Sequence, residues 1–130
     1  MKWVSKGKKK NSFKKFFKGF AYAFTGLICA FKKEINLIVE IIMGIGAFVL
    51  GILLKFSVIE LAIVFLTIGL VIGLELLNTA VEYTVDMAMP ERHPLAKKAK
   101  DVAAASVLFA SICALIIGII LYIPKIIALF

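Results

Sequence analysis

This chain of 130 residues has only two cysteines, three prolines, one histidine and one tryptophan, and no acidic residue precedes Glu34. Each scarcity removes a class of protein. Cys29 and Cys113 have no partner at metal-ligand or redox spacing and sit in apolar surroundings, so they read as small packing residues. His93 has no second His or Cys at ligand spacing, which argues against a zinc site. The opening does not read as a cleavable signal peptide, because its basic region is too long and no apolar segment follows promptly. There is no internal repeat, no low-complexity stretch beyond an N-terminal lysine tract, and no sign of a second domain.

Apolar residues and lysine are what the chain has in quantity. Hydrophobic residues make up 62% of it and the mean hydropathy is +1.03. A soluble domain averages about 45–50% apolar, so the expected fold class is an all-α integral membrane protein. The net charge of +8 is unevenly spread: ten of the sixteen basic residues lie in the first 33 positions, and all ten are lysines. A basic tail can bind nucleic acid or anionic lipid. Beside several spanning helices the lipid reading is favoured, nucleic acid is not expected as a partner, and the tail is expected in the cytoplasm.

In chain order, residues 1–12 have the composition of a flexible basic tail, with Trp3 as a candidate interfacial anchor. Residues 13–31 set Phe13, Phe16, Phe17, Phe20 and Phe24, at spacings of three and four, against Lys14, Lys15, Lys18 and Lys32. That pattern predicts an amphipathic helix in the headgroup region, acting as an anchor or also covering an active site. Spans are expected over about 35–54, 58–83 and 102–123, each near the roughly 20 residues that a bilayer requires. Lys55-Phe-Ser57 reads as a tight hairpin, with Glu60 solvated beside it. Pro90 and Pro94 break helix around Glu91-Arg92-His93, and Pro124-Lys125 marks the exit of the last span. Basic residues at the N-terminus and over 86–100 place those segments inside, leaving Lys55, Lys125 and the C-terminus outside.

One stripe is too costly to be incidental. Glu75, Asn78, Glu82 and Asp86 fall within an arc of roughly 80° on one helix, directly after a membrane-length apolar run. A charged side chain at a bilayer centre costs about 2.5–3.5 kcal/mol on insertion scales, which makes the stripe a functional-site hypothesis. Topology brings Glu34, Glu82 and Lys100-Asp101 to one depth at the cytoplasmic surface. Glu34 and Glu82 would be two hard oxygen ligands there, as magnesium takes beside nucleotide phosphates, and Lys100 could hold a phosphate oxygen. Glu75, about 10 Å deeper, is within reach of the hydroxyl of a lipid alcohol and suits a general base. Asn78 could orient the base or the phosphate. Packed acid pairs and proton-relay groups also occur in helix bundles. Glu40 could be either a packing residue or a neighbour of the site.

These residues resemble a known family. ELLNTAVEYTVD, followed by ERHPLAKKAKDVAAASVL, is similar to the signature of the prokaryotic diacylglycerol kinases. Glu75-Leu-Leu-Asn78 with Glu82 and Asp86 matches its most specific motif, and Ala99-Lys100-Asp101 matches the second. The resemblance covers about 13–126. It is closest to the Gram-positive branch, whose members phosphorylate undecaprenol better than diacylglycerol; His93-Pro-Leu-Ala96 and Ile123-Pro-Lys125 resemble that branch in particular.

The resemblance implies a homotrimer of three-span subunits, each with an N-terminal surface helix, and active sites shared between neighbours. It makes Glu75 the general base and Glu34 and Glu82 the magnesium ligands. It also implies that Lys100, Asp101 and the Glu91-Arg92-His93 loop contact ATP. Lys15 and Tyr22 match nucleotide contacts more loosely, and Asn78 and Asp86 take supporting roles. Ile38 stands where family members commonly carry a basic residue, and Ala103-Ala-Ala105-Ser106 where the branch usually carries glycine. The expected activity is MgATP-dependent phosphorylation of undecaprenol in a bacterial plasma membrane. The rivals are diacylglycerol phosphorylation, a non-enzymatic pore or scaffold, and an ion or proton carrier.

Overall fold

The computed structural model describes residues 12–130, and they form four helices: α1 (Ser12–Lys33), α2 (Ile35–Leu53), α3 (Val58–Ala88) and α4 (Pro94–Ile127). The basic tail and Trp3 lie outside the described residues, except Ser12, which opens α1. Helices α2, α3 and α4 are each long and apolar enough to cross a membrane. At 1.5 Å per residue α2 measures about 28 Å, close to the roughly 30 Å of hydrocarbon. Helices α3 and α4 reach about 46 and 51 Å on the same rise. Their excess length carries the charged residues: Glu82 and Asp86 near the end of α3, and Lys97, Lys100 and Asp101 at the start of α4.

Helix α3 is the centre of the bundle, packing chiefly on α4 and then on α2, while α1 touches the rest only lightly. The interior of one chain is thin, with Leu37, Val64, Val71 and Ala110 buried. Ile42, Met43, Phe65, Leu66, Leu108, Phe109 and Leu115 all point outward. Apolar surface on that scale is covered by lipid tails or by other protein. Glycine permits the closest α2–α3 approach, because a Cβ on Gly44 would lie 2.8 Å from Ile68 Cγ2.

The α2–α3 turn is tight, with Lys55 in the left-handed region at φ 60°. Glu60, expected to be merely solvated, is instead the closing member of a capping box. The Ser57 amide donates to Glu60 Oε2 at 2.7 Å, and the Glu60 amide donates to Ser57 Oγ at 3.2 Å. These bonds satisfy amides that a helix start leaves without partners. Lys125 Nζ reaches the same Glu60 oxygen at 3.7 Å. Beside it, Tyr122 donates its hydroxyl hydrogen to the Ala47 carbonyl and packs on Phe56 with ring centroids 4.7 Å apart. Pro124 does not end α4, which continues to Ile127. A proline removes one amide donor, and the next turn still closes through Ala128 N–H to the Pro124 carbonyl at 3.1 Å. At the other end Pro94 is the first helical residue, where no amide is needed, and the Leu95 amide donates to His93 Nδ1 at 3.1 Å.

Candidate active site

The polar stripe of α3 runs from the interior of the bundle to its charged end. Glu75 is 5% exposed, Asn78 9% and Thr79 3%, all on a helix whose other buried residues are valines. The Thr79 hydroxyl donates to the Glu75 carbonyl at 3.1 Å, which settles the hydroxyl within its own helix. Asn78 Oδ1 and Glu40 Oε2 are buried without a hydrogen-bond partner among the described residues. A buried polar atom left unsatisfied costs about 1–3 kcal/mol, which sets these two apart from the other polar groups of the bundle. Glu75 lies within electrostatic reach of Glu34, Glu82 and Glu40.

One turn above Asn78 the environment changes. Glu82 Oε2 accepts from Lys33 Nζ at 3.1 Å, and the Lys33 ammonium stands 3.9 Å from the centroid of the Tyr83 ring. Glu34, next to Lys33, occupies the N-cap of α2 but makes no side-chain capping bond, so its carboxylate is free for another partner. Partial burial works against the Lys33 charge. The hydrogen bond and charge of Glu82, with help from Tyr83 and Glu34, more than offset this, and Lys33 is held above the usual lysine range. It is therefore charged throughout the physiological range.

A further turn along, Asp86 forms an ion pair with Lys100, and Lys97 bonds Asp101 four residues on. These pairs border a cavity of about 720 Å³ lined by Asp86, Glu91, Arg92, His93, Lys97, Lys100 and Asp101 with neighbouring apolar residues. A second cavity of about 660 Å³ lies between α1 and α3. It is almost wholly apolar, lined by Phe20, Phe24, Leu27, Cys29, Leu76, Thr79 and Tyr83 among others.

The structure thus gathers Glu34, Glu75, Asn78 and Glu82 at one end of the bundle, and Asp86, Glu91, Arg92, His93, Lys100 and Asp101 around one cavity. Lys15 and Tyr22 are exposed on α1 and line neither of these two cavities. Two lysines that shape the site went unsingled in the sequence, Lys33 and Lys97. Lys97 had a legible signal, its four-residue spacing to Asp101 on one helix. Lys33 had only its place beside Glu34. No group of three or more His, Cys, Asp or Glu side chains that could hold a metal ion occurs among the described residues. Glu34, which has no side-chain partner, and Glu82, whose partner is Lys33, nevertheless suit magnesium, which commonly takes one or two protein carboxylates and completes its shell with phosphates and water.

Described residues that are all helical, with three helices of membrane length and a buried carboxylate on the middle one, define an integral membrane protein of the helical class. The family description "Prokaryotic diacylglycerol kinase" matches residues 21–122, and the chain belongs to that family: it is an ATP-dependent lipid kinase. It is 40% identical over 116 residues to the undecaprenol kinase of Bacillus subtilis, covering 89% of this chain and 94% of that protein. The diacylglycerol kinase of Synechocystis is 40% identical over 111 residues, 85% of this chain and 63% of its own length. That of Escherichia coli is 33% identical over 109 residues, 84% and 89%.

Proposed function

We propose that this kinase transfers the γ-phosphoryl group of ATP to the hydroxyl of undecaprenol, giving undecaprenyl phosphate and ADP. The observation that carries the reading is Glu75, a carboxylate buried in an apolar helix on the same face as Glu82 and Asp86. Its depth excludes a water-soluble acceptor and suits a hydroxyl arriving laterally from the bilayer. Glu75 accepts that proton as general base, and Asn78 orients the base or the phosphate. Glu34 and Glu82 would hold the magnesium ion, which supplies charge neutralisation for the phosphates. Lys100, Asp101 and the Glu91-Arg92-His93 loop hold the nucleotide in the larger cavity, and Asp86 keeps Lys100 in place through their ion pair. The groove between α1 and α3, lined by Phe20, Phe24 and Leu27, is the proper chemistry for an isoprenoid chain, and its lining includes Leu76 and Thr79, the one adjacent to Glu75 in the chain and the other one turn from it.

Residues 13–130 constitute the kinase domain and 1–12 a basic tail. The chain assembles as a homotrimer in the bacterial plasma membrane, with the N-terminus and the active site cytoplasmic and the C-terminus outside. The outward-facing side chains of α2–α4, the unpartnered Asn78 and Glu40 atoms, and the placement of Lys15 and Tyr22 away from both cavities support completion of the site by a neighbour. On α1 the phenylalanines would enter the interface, while Lys14, Lys15 and Lys18 meet anionic headgroups.

Undecaprenol is favoured over diacylglycerol because similarity to the undecaprenol kinase of Bacillus subtilis runs through nearly the whole of both chains. Diacylglycerol phosphorylation is the second reading, favoured by the other relatives named above. Purified protein given radiolabelled ATP and both lipids in one micelle tests it. Preferential label in the polyprenyl phosphate is the expected result; preferential label in phosphatidic acid reverses the assignment.

A further inference from the structure

Glu82 does not stand free at the junction of α1 and α2. Lys33, the last residue of α1, reaches across to it, and the two side chains are only 27% and 30% exposed. The ammonium has a second support in the face of Tyr83. Among the described residues this is the only ion pair that joins α1 to another helix. Lys33 is also the immediate neighbour of Glu34. One internal cation thus sits at the two carboxylates that the site would present to a metal.

We infer that Lys33 is a built-in counter-ion that occupies a coordinating oxygen of Glu82 until a divalent cation displaces it, coupling metal binding to release of α1 from α3. The inference rests on the reading of Glu34 and Glu82 as divalent-ion ligands.

A lone pair of carboxylates at the edge of the hydrocarbon repel one another and have little water to screen them. Lys33 relieves that repulsion, and a single ammonium does so with one hydrogen bond to one oxygen. An ion of charge two that contacts both carboxylates does so more completely. Magnesium binds carboxylate oxygen at roughly 2.0–2.1 Å, inside the position that Lys33 Nζ takes against the same oxygen. Two cations sharing that oxygen repel each other, so one leaves. The exchange is reciprocal: whatever the Glu82 pair contributes to docking α1 is subtracted from divalent affinity, and bound metal weakens the docking by the same factor. For a pair this exposed, that factor is roughly two- to fivefold.

The test uses the full-length protein in detergent micelles without nucleotide, and Mn²⁺ as the probe, with free ion counted by its electron paramagnetic resonance signal. Lys33→Met is expected to bind Mn²⁺ roughly two- to fivefold more tightly than the native protein, Lys33→Arg to bind like the native protein, and Glu82→Gln to lose most binding. A second measurement needs no variant. Acetylation of Lys33 by an amine-selective ester, followed by mass spectrometry, is expected to speed up when saturating Mg²⁺ replaces a chelator, while neighbouring Lys32 keeps its rate. If Lys33→Met binds Mn²⁺ no tighter while Glu82→Gln loses it, or if Lys33 acetylation ignores Mg²⁺, Lys33 has no such role. If Glu82→Gln binds as the native protein does, Glu82 is not a ligand and the inference goes with it.

Discussion

Replacing Glu75 by glutamine separates chemistry from architecture more cleanly than any other single change. The two side chains have nearly the same shape, so the 5%-exposed pocket on α3 stays filled and no cavity term arises. The amide cannot take a proton from a lipid hydroxyl. General-base catalysis contributes about 10²–10⁴-fold, so kcat should fall by that factor, equivalent to about 2.7–5.4 kcal/mol of transition-state stabilisation. KM for ATP should hardly change, because the cavity proposed for the nucleotide is lined by residues from Val85 onward. Stability should move the other way. Glu75 shares its surroundings with Glu34, Glu40 and Glu82, and a neutral amide removes one carboxylate from that group. Expected, then, is a variant that unfolds in detergent at or above the native temperature and turns over at least a hundredfold more slowly. The assay is initial-rate transfer of radiolabel from ATP to undecaprenol, beside thermal unfolding followed by circular dichroism. A kcat within about threefold of native would remove Glu75 from the base role, since no proton acceptor of ordinary efficiency is lost so cheaply.

Lys100→Met leaves Asp86 without its partner and removes the phosphate contact proposed for Lys100; kcat/KM for ATP should drop by about 10- to 150-fold, with the lipid KM little affected, in the same transfer assay. Gly44→Ala places a methyl group 2.8 Å from Ile68 Cγ2, on a β-branched side chain that cannot swing away, and should cost about 1–3 kcal/mol in detergent unfolding. Ser57→Ala breaks the capping box at the end of the bundle remote from the site; it should cost about 0.5–2 kcal/mol of stability while the specific activity of the folded protein is unchanged.

Much of the architecture was legible because spanning helices leave so few alternatives. Backbone groups in hydrocarbon must bond within their own helix, so each long apolar run in this chain could only be one. The stripe on α3 was legible for the same reason, as every polar side chain there stands out against lipid. What escaped was short-range and could have been found in principle. Ser57-Val-Ile-Glu60 has the spacing of a capping box, yet Glu60 looked like any acid at a membrane edge. Pro124, read with Lys125 as the exit of the last span, lies in the last turn of α4 and costs one bond without ending the helix.

The amino-acid order by itself determined three helices of membrane length, the polar face of the second, and the charged segments at its far end. Periodicity and hydropathy are local properties, and lipid enforces them strictly. Which charges meet between helices was decided by tertiary structure alone. Lys33 and Glu82 are 49 positions apart, and of the five lysines on α1 only Lys33 pairs with a carboxylate among the described residues. The pairing of Lys33 with Glu82, of Asp86 with Lys100 and of Glu60 with Lys125 depends on how four helices are rotated and stacked. That rotation is set by contacts such as Gly44 against Ile68, whose partners lie far apart in the chain.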